Sequence, residues 1–289
     1  MKGQRLLGTA LVALGATLWG GWALVVRPSG LPAEQVTLVS MVLMALPLPF
    51  VLRGVSFRDR RAVAALVVLG LADTGSAGLL FAALERGPVA VAVLSHYLAP
   101  ILVTIAGPLF MGEPGSRRAW IAAPASLLGL GLVVWQPGGE AALVTAGIGA
   151  ASAVFYTIFV FAARRAGAAF PTKVILPAHA AISIVALLLL FGGAGIPAPG
   201  PGLLHAVVGA AICGVLGTGL FFAGVTRVPS AVTGALTYLE PLTAAILGWA
   251  VFHEALGLRG LAGIALVLAS GVAMATEPYR PANTEPSQA

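Results

Sequence analysis

The sequence predicts an all-α integral membrane protein of ten transmembrane helices, built as two inverted five-helix repeats. Three observations carry this fold class. Only 9 % of the 289 residues are charged while 59 % are hydrophobic, against about a quarter charged in a soluble globular domain. Ten apolar runs each approach the roughly 20 residues needed to cross a hydrocarbon core. A 36-residue segment recurs, without a gap, 141 residues further along the chain.

The composition also excludes alternatives. A mean hydropathy of +0.99 is too high for a water-facing surface. The 37 glycines suit close helix packing in lipid, where apolar burial no longer drives association. A net charge of +6 and a pI near 10.2 could suggest nucleic acid. The Lys and Arg residues fall between apolar runs, however, which is the pattern that orients a membrane protein. A single cysteine, Cys213, excludes a disulfide framework, and no Cys/His spacing suits a metal. The basic start Lys2–Arg5 precedes an apolar run longer than a signal peptide's core, so the first run is expected to be a retained helix.

In chain order the expected spans are Leu6–Val26, Val36–Leu52, Ala62–Leu84, Val89–Phe110 and Ala119–Trp135, then Val144–Ala163, Thr172–Phe191, Leu203–Val225, Ser230–Phe252 and Leu258–Ala275. Short Gly-, Pro- or charge-marked connections separate them, such as Arg27-Pro28-Ser29-Gly30 and Gln136-Pro137-Gly138-Gly139. They leave no room for a soluble domain. The halves divide as 1–137 and 138–276, and the polar tail 277–289 is expected to be disordered. With the amino terminus in the cytoplasm, thirteen Lys and Arg residues fall on that side and three (Arg27, Arg86, Arg259) on the other. This bias places both termini in the cytoplasm, in a membrane expected to be the bacterial inner membrane. Arg117 and Arg118 read as markers of that topology.

The repeat aligns residues 78–113 with 219–254, and fourteen of 36 positions are identical. They include Arg86/Arg227, Pro88/Pro229, Tyr97/Tyr238, Pro100/Pro241, Gly107/Gly248 and Glu113/Glu254. Apolar segments share Leu and Ala by chance, but rarely Arg, Pro, Tyr and Glu in register. The offset carries spans three and four onto eight and nine, so each unit has five spans. An odd number reverses the second unit in the bilayer. Inverted repeats of this kind underlie alternating access in many secondary transporters. The sequence therefore predicts a carrier of small molecules rather than an enzyme.

Ionisable side chains at the bilayer centre are costly, and usually face a cavity or a partner. Asp73, His96 and Glu240 fall near the middles of spans three, four and nine. His96, Ala99, Pro100 and Val103 follow the spacing of one helical face, and the repeat carries them onto Thr237, Glu240, Pro241 and Ala244. Pro100 and Pro241 each delete a helical hydrogen bond, freeing the carbonyls of His96 and Thr237 for another donor. These stripes are expected to line a central cavity in which Asp73 or Glu240 binds a cation or exchanges a proton, and His96 hydrogen-bonds the substrate or shares that proton. The competing reading is a mutual structural pair, such as His96 with a carboxylate. Asp73 has no counterpart of its kind, since the offset gives Gly214.

Further candidates are Trp19 and Trp22, three apart on the first span, and Ser76, one turn from Asp73. Tyr97 and Tyr238 hold equivalent places, as Tyr156 and Thr157 do relative to the first span. His179 is expected to bond a neighbouring helix. Glu113 and Glu254, at helix ends that disfavour negative charge, are expected to be structural. No cofactor or metal is expected. The partners are the lipid bilayer and a small-molecule substrate, with protons as a candidate coupling ion.

The paired segments Tyr97-Leu98-Ala99-Pro100…Glu113 and Tyr238-Leu239-Glu240-Pro241…Glu254, within the five-plus-five layout, resemble the EamA-type families of the drug/metabolite transporter superfamily. The resemblance covers nearly the whole chain. It implies a proton- or gradient-driven carrier, often an exporter of amino acids or related metabolites. Sugar-phosphate or nucleotide-sugar exchange is the alternative, and the lack of a midplane Lys or Arg counts against such anions. A passive channel and a membrane enzyme are weaker still: the chain has no visible selectivity element, Gly-x-Ser-x-Gly motif or phosphate-binding loop.

Overall fold

The computed structural model describes residues 2–112, 118–134, 139–253 and 257–275. Among these residues all regular structure is helical. The chain is built from α1 (Lys2–Trp19), α2 (Ala23–Ser29), α3 (Ala33–Ala45), α4 (Leu48–Val51), α5 (Arg60–Arg86), α6 (Val89–His96), α7 (Ala99–Met111) and α8 (Ala119–Val134). It continues with α9 (Gly139–Ala169), α10 (Thr172–Phe191), α11 (Pro201–Gly209), α12 (Gly219–Val225), α13 (Ser230–Thr237), α14 (Leu239–Phe252) and α15 (Leu258–Ala275).

Several are pieces of one continuous span. Among the described residues eight spans are long and apolar enough to cross a membrane: 3–29, 33–51, 60–86, 91–111, 142–169, 172–195, 201–225 and 232–252. The shorter apolar helices α8 and α15 pack along each other. Glu113, Arg117, Trp135, Glu254 and the tail lie outside the described residues. The outer surface bears large apolar side chains such as Leu109 and Leu189, each 82 % exposed. In water such patches would drive association. Against lipid tails they cost nothing, which is why so hydrophobic a chain folds as a bundle.

Local chemistry sets the ends. Asp59 caps α5, its Oδ1 accepting from the backbone N–H groups of Arg61 and Ala62. Gly30 closes α2 in the left-handed conformation, φ 63°. Arginines reach to backbone carbonyls at helix ends, where the dipole favours positive charge. Arg165 donates to Phe110, Arg118 to Ala273, Arg164 to Val225, and Arg227 meets Gln4. At the other end Arg27 donates to Gly87 and stacks over Phe252, while Gln35 donates to Ala194.

The centre is irregular. A 3-10 turn, Gly20–Trp22, interrupts the first span, and a π-helical stretch, Ala210–Thr218, lies between α11 and α12. The two pack together, with a side chain at Gly21 meeting Cys213 Sγ at 3.1 Å. The helices α6 and α7 part at Tyr97–Leu98, and α13 and α14 part at Tyr238. Tyr97 and Tyr238 are repeat-related. In lipid such breaks are tolerated where protein or a wet cavity satisfies the backbone.

α1 lies close against α12 and the π-helical stretch through glycines. A Cβ at Gly15 would stand 2.7 Å from the Gly217 carbonyl oxygen, and one at Gly224 would stand 2.7 Å from that of Gly8. Both pairs are seven residues apart on each strand of this antiparallel crossing, so the absent side chains fall on one face.

Candidate functional site

The irregular turns surround a partly open cavity whose non-atom space, counted out through its mouth into solvent, is about 530 Å³. Its wall draws on nearly every central element. Trp19 and Trp22 come from the interrupted first span, Ser40, Met41 and Met44 from α3, and Asp73, Ser76 and Phe81 from α5. His96 comes from the end of α6, Tyr156 and Phe159 from α9, Thr218 from the π-helical stretch and Glu240 from the first turn of α14. Asp73, Ser76, His96, Glu240, Trp19 and Trp22, scattered over four spans, thus meet in one chamber.

The breaks explain two of these positions. Because α6 ends at His96, the imidazole sits at a helix terminus rather than inside a continuous wall. Because α14 restarts after Tyr238, Glu240 lies at a helix N-terminus, where the dipole favours a carboxylate. Pro100 and Pro241 fall in the first turn of their restarted helices, where a missing N–H costs no hydrogen bond.

Glu240 is 4 % exposed. Among the described residues no Lys, Arg or His forms a salt bridge with it. The hydroxyl of Tyr97 stands beside its carboxylate, and that of Tyr156 beside Thr237 and Glu240. Neither hydroxyl completes a hydrogen bond by geometry. Tyr97 and Tyr238 do not line the chamber; their rings lie 5.7 Å apart behind Glu240. Thr237 likewise stands behind the wall and donates its hydroxyl to Gly234. Thr157 points along its own helix, donating to Ala153.

His96 is held by a residue that sequence reasoning missed. Its Nδ1 lies 2.8 Å from Ser152 Oγ, and Ser152 donates its hydroxyl hydrogen to the Ser76 carbonyl at 2.7 Å. A hydroxyl has one hydrogen, so Ser152 accepts from His96 and Nδ1 carries the proton. In the neutral ring Nε2 is then the free acceptor. Nothing in the run Gly149-Ala150-Ala151-Ser152-Ala153 marks this serine out. Removing its hydroxyl in Ser152→Ala leaves the His96 Nδ1–H unpartnered. A buried unpaired polar group costs about 1–3 kcal/mol, so a lower unfolding temperature in detergent is expected, and an unchanged one would refute the relay.

The carboxylate–imidazole pair of the site joins Asp73 to His179 rather than to His96, with Oδ2 and Nε2 3.0 Å apart. The remaining wall is aromatic. Trp19 donates Nε1–H to Thr218 at 3.2 Å and meets Tyr156 edge-on. Trp22 packs on Phe81, ring centroids 4.9 Å apart. The chamber therefore offers two carboxylates, an imidazole acceptor and π-faces that favour a cation. No cluster of three or more His, Cys, Asp or Glu able to hold a metal occurs among the described residues.

Comparison with known proteins agrees with this architecture. The model of the EamA-like transporter family matches residues 6–135 and again 144–276. An uncharacterized transporter of Archaeoglobus fulgidus is 33 % identical over 271 residues, 91 % of this chain and 94 % of that protein. The threonine/homoserine exporter RhtA of Salmonella typhimurium is 25 % identical over 273 residues, covering 92 % and 88 % of the two chains. A solved crystal structure superposes with a TM-score of 0.68 at 25 % identity, over 95 % of this chain and 97 % of the other. With its apolar spans wrapped around a polar chamber and the family model matched along nearly its full length, this chain belongs to the EamA-like transporter family.

Proposed function

We propose that this chain is a secondary-active transporter that exports amino acids or related ammonium-bearing metabolites by alternating access. The observation that carries this reading is the central chamber with Glu240 in its wall, a buried acid without a basic partner among the described residues. An ammonium group supplies the charge that the site lacks, and the aromatic wall receives the rest of the molecule. Asp73, Glu240, His96, Trp19, Trp22 and Ser76 contact the substrate, while Tyr97, Tyr238 and Thr237 back the Glu240 segment. A phosphate-bearing substrate would meet carboxylates and, among the described residues of this wall, no Lys or Arg. The similarity to a threonine/homoserine exporter points to the same class.

The proposal includes ten membrane helices in two inverted units, 1–137 and 138–276, with both termini in the cytoplasm of a bacterial inner membrane. Three observations support it. The family model matches each half separately. The helix interruptions at Tyr97 and Tyr238 are related by the 141-residue offset. The contacts of Arg165, Arg118, Arg164 and Arg227 join ends that an alternating thread of ten helices puts on one side, and those of Arg27 and Gln35 join ends on the other.

Purified protein in proteoliposomes, preloaded with unlabelled L-threonine or L-homoserine, is expected to take up the labelled compound by saturable counterflow. Flux that never saturates would make it a channel, and chemical conversion without net movement would make it an enzyme.

A further inference from the structure

Asp73 does not stand alone in the chamber wall. Its Oδ2 lies 3.0 Å from Nε2 of His179, whose other nitrogen, Nδ1, lies 3.0 Å from the Ile175 carbonyl oxygen. A carbonyl only accepts, so Nδ1 carries a hydrogen. A neutral ring would then turn a bare Nε2 lone pair towards a carboxylate oxygen, and two acceptors at that separation repel. The contact therefore holds one proton between Nε2 and Oδ2, and the pair is net neutral whichever atom carries it.

Exposure is divided unequally within the pair. The His179 side chain is wholly buried, while that of Asp73 retains 14 % exposure and lines the chamber. The shared proton thus meets chamber water through Asp73. The pair is also rigidly docked. Ser183 donates its hydroxyl to the Gly70 carbonyl at 2.8 Å, and a Cβ at Gly70 would stand 2.6 Å from the His179 carbonyl oxygen. The Phe222 ring covers His179 edge-on at 5.1 Å. The titratable groups that face the pair across the chamber are Tyr156, His96 and Glu240.

We propose that Asp73 and His179 form the proton-coupling dyad of the carrier. The inference rests on the transport reading above and adds which proton is exchanged, and for what. The empty carrier arrives with the dyad loaded. When a primary ammonium docks against Asp73, the shared proton leaves for chamber water. The carboxylate keeps its negative charge and turns from Nε2 to the ammonium, and His179 becomes neutral with Nδ1–H still donated to Ile175. When the ammonium departs on the other side, a proton from that side's water reloads the dyad. One ammonium-bearing molecule is exchanged for one proton. Asp73 keeps one positive charge beside it in both states, the protonated His179 in one and the ammonium in the other. Glu240 attracts the ammonium in both states, whereas the dyad sets the stoichiometry; His179 acts through Asp73 as a positioning residue.

His179→Gln tests this, because a carboxamide N–H can donate to Asp73 but cannot give up its proton. The wild type and the variant are reconstituted with the membrane potential clamped, and L-threonine, L-homoserine and L-serine serve as probes. In the wild type a gradient of about one pH unit should drive about tenfold accumulation of a transported probe, the ratio set by one-to-one exchange. His179→Gln should keep counterflow and lose this accumulation. In weakly buffered detergent, probe binding should release about one proton per site from the wild type and none from the variant, as a loss of the only shared proton requires. If His179→Gln is not recovered folded, Asp73→Asn serves: it exchanges more slowly but should release no proton per probe bound. Undiminished pH-driven accumulation, or wild-type proton release, in either variant would overturn the dyad alone. Absence of counterflow for all three probes in the wild type would instead remove the transport reading, and the dyad with it.

Discussion

Glu240→Gln is expected to raise the substrate concentration for half-maximal counterflow by about 10–100-fold, because a hydrogen bond to a charged group is worth roughly 1.5–3 kcal/mol and each 1.4 kcal/mol is tenfold. The substitution conserves volume and the position at the first turn of α14, so folded yield should change little. What it removes is the ionisable carboxyl group in a wall where that group has no salt-bridging base among the described residues. The effect should be larger for cationic amines than for uncharged analogues of the same shape. Equal half-saturation in the two proteins, measured on matched folded material, would show that Glu240 serves packing and not the substrate. The contrast with His179→Gln is informative. One variant weakens binding and leaves proton stoichiometry intact, while the other does the reverse.

Gly15→Val is expected to damage folding severely. Its Cβ would stand 2.7 Å from the Gly217 carbonyl oxygen and 3.0 Å from the Phe221 backbone nitrogen. Both obstacles are backbone, so no rotamer change makes room and α1 must separate from the π-helical stretch and α12. Overpacking of this kind costs about 1–3 kcal/mol and occasionally more. The chamber should suffer as well, because Trp19, one turn further along α1, reaches Thr218 on the same contact face. A sharp fall in monodisperse yield and in thermal midpoint is expected. Gly147→Ala is the control: it lies on the exposed face of α9 with nothing within 4 Å of a new Cβ, and it should be neutral or slightly stabilising. If Gly15→Val behaved like the control, close glycine packing would not be what joins these helices.

The membrane spans were legible in the sequence because lipid imposes one rule on every segment. The expected run Thr172–Phe191 coincides with α10, and Leu258–Ala275 with the shorter apolar helix α15. Their ends are written in Pro, Gly and charge, the residues that stop helices or meet water. The candidate site was partly legible for a related reason. An Asp, a His and a Glu inside apolar runs are anomalies that demand a cavity or a partner, and Asp73, His96 and Glu240 do share a wall. Ser152 and Thr218 were not legible, since hydroxyls are common in membrane helices and bond readily to their own backbone, as Thr157 and Thr104 do here.

Periodicity and composition alone thus determined that this chain is helical, spans a membrane and carries polar groups inside apolar spans, because those properties depend on each segment's own contact with lipid. Pairing between segments was decided only in the tertiary structure. That Asp73 meets His179 while His96 meets Ser152 depends on the crossing of α5 with α10 and of α6 with α9. Those crossings are set by where small residues let backbones approach, as Gly70 does beneath His179. A one-dimensional pattern marks which side chains need partners; only the packed bundle assigns them, because a hydrogen bond depends on a distance of about 3 Å that no single helix specifies.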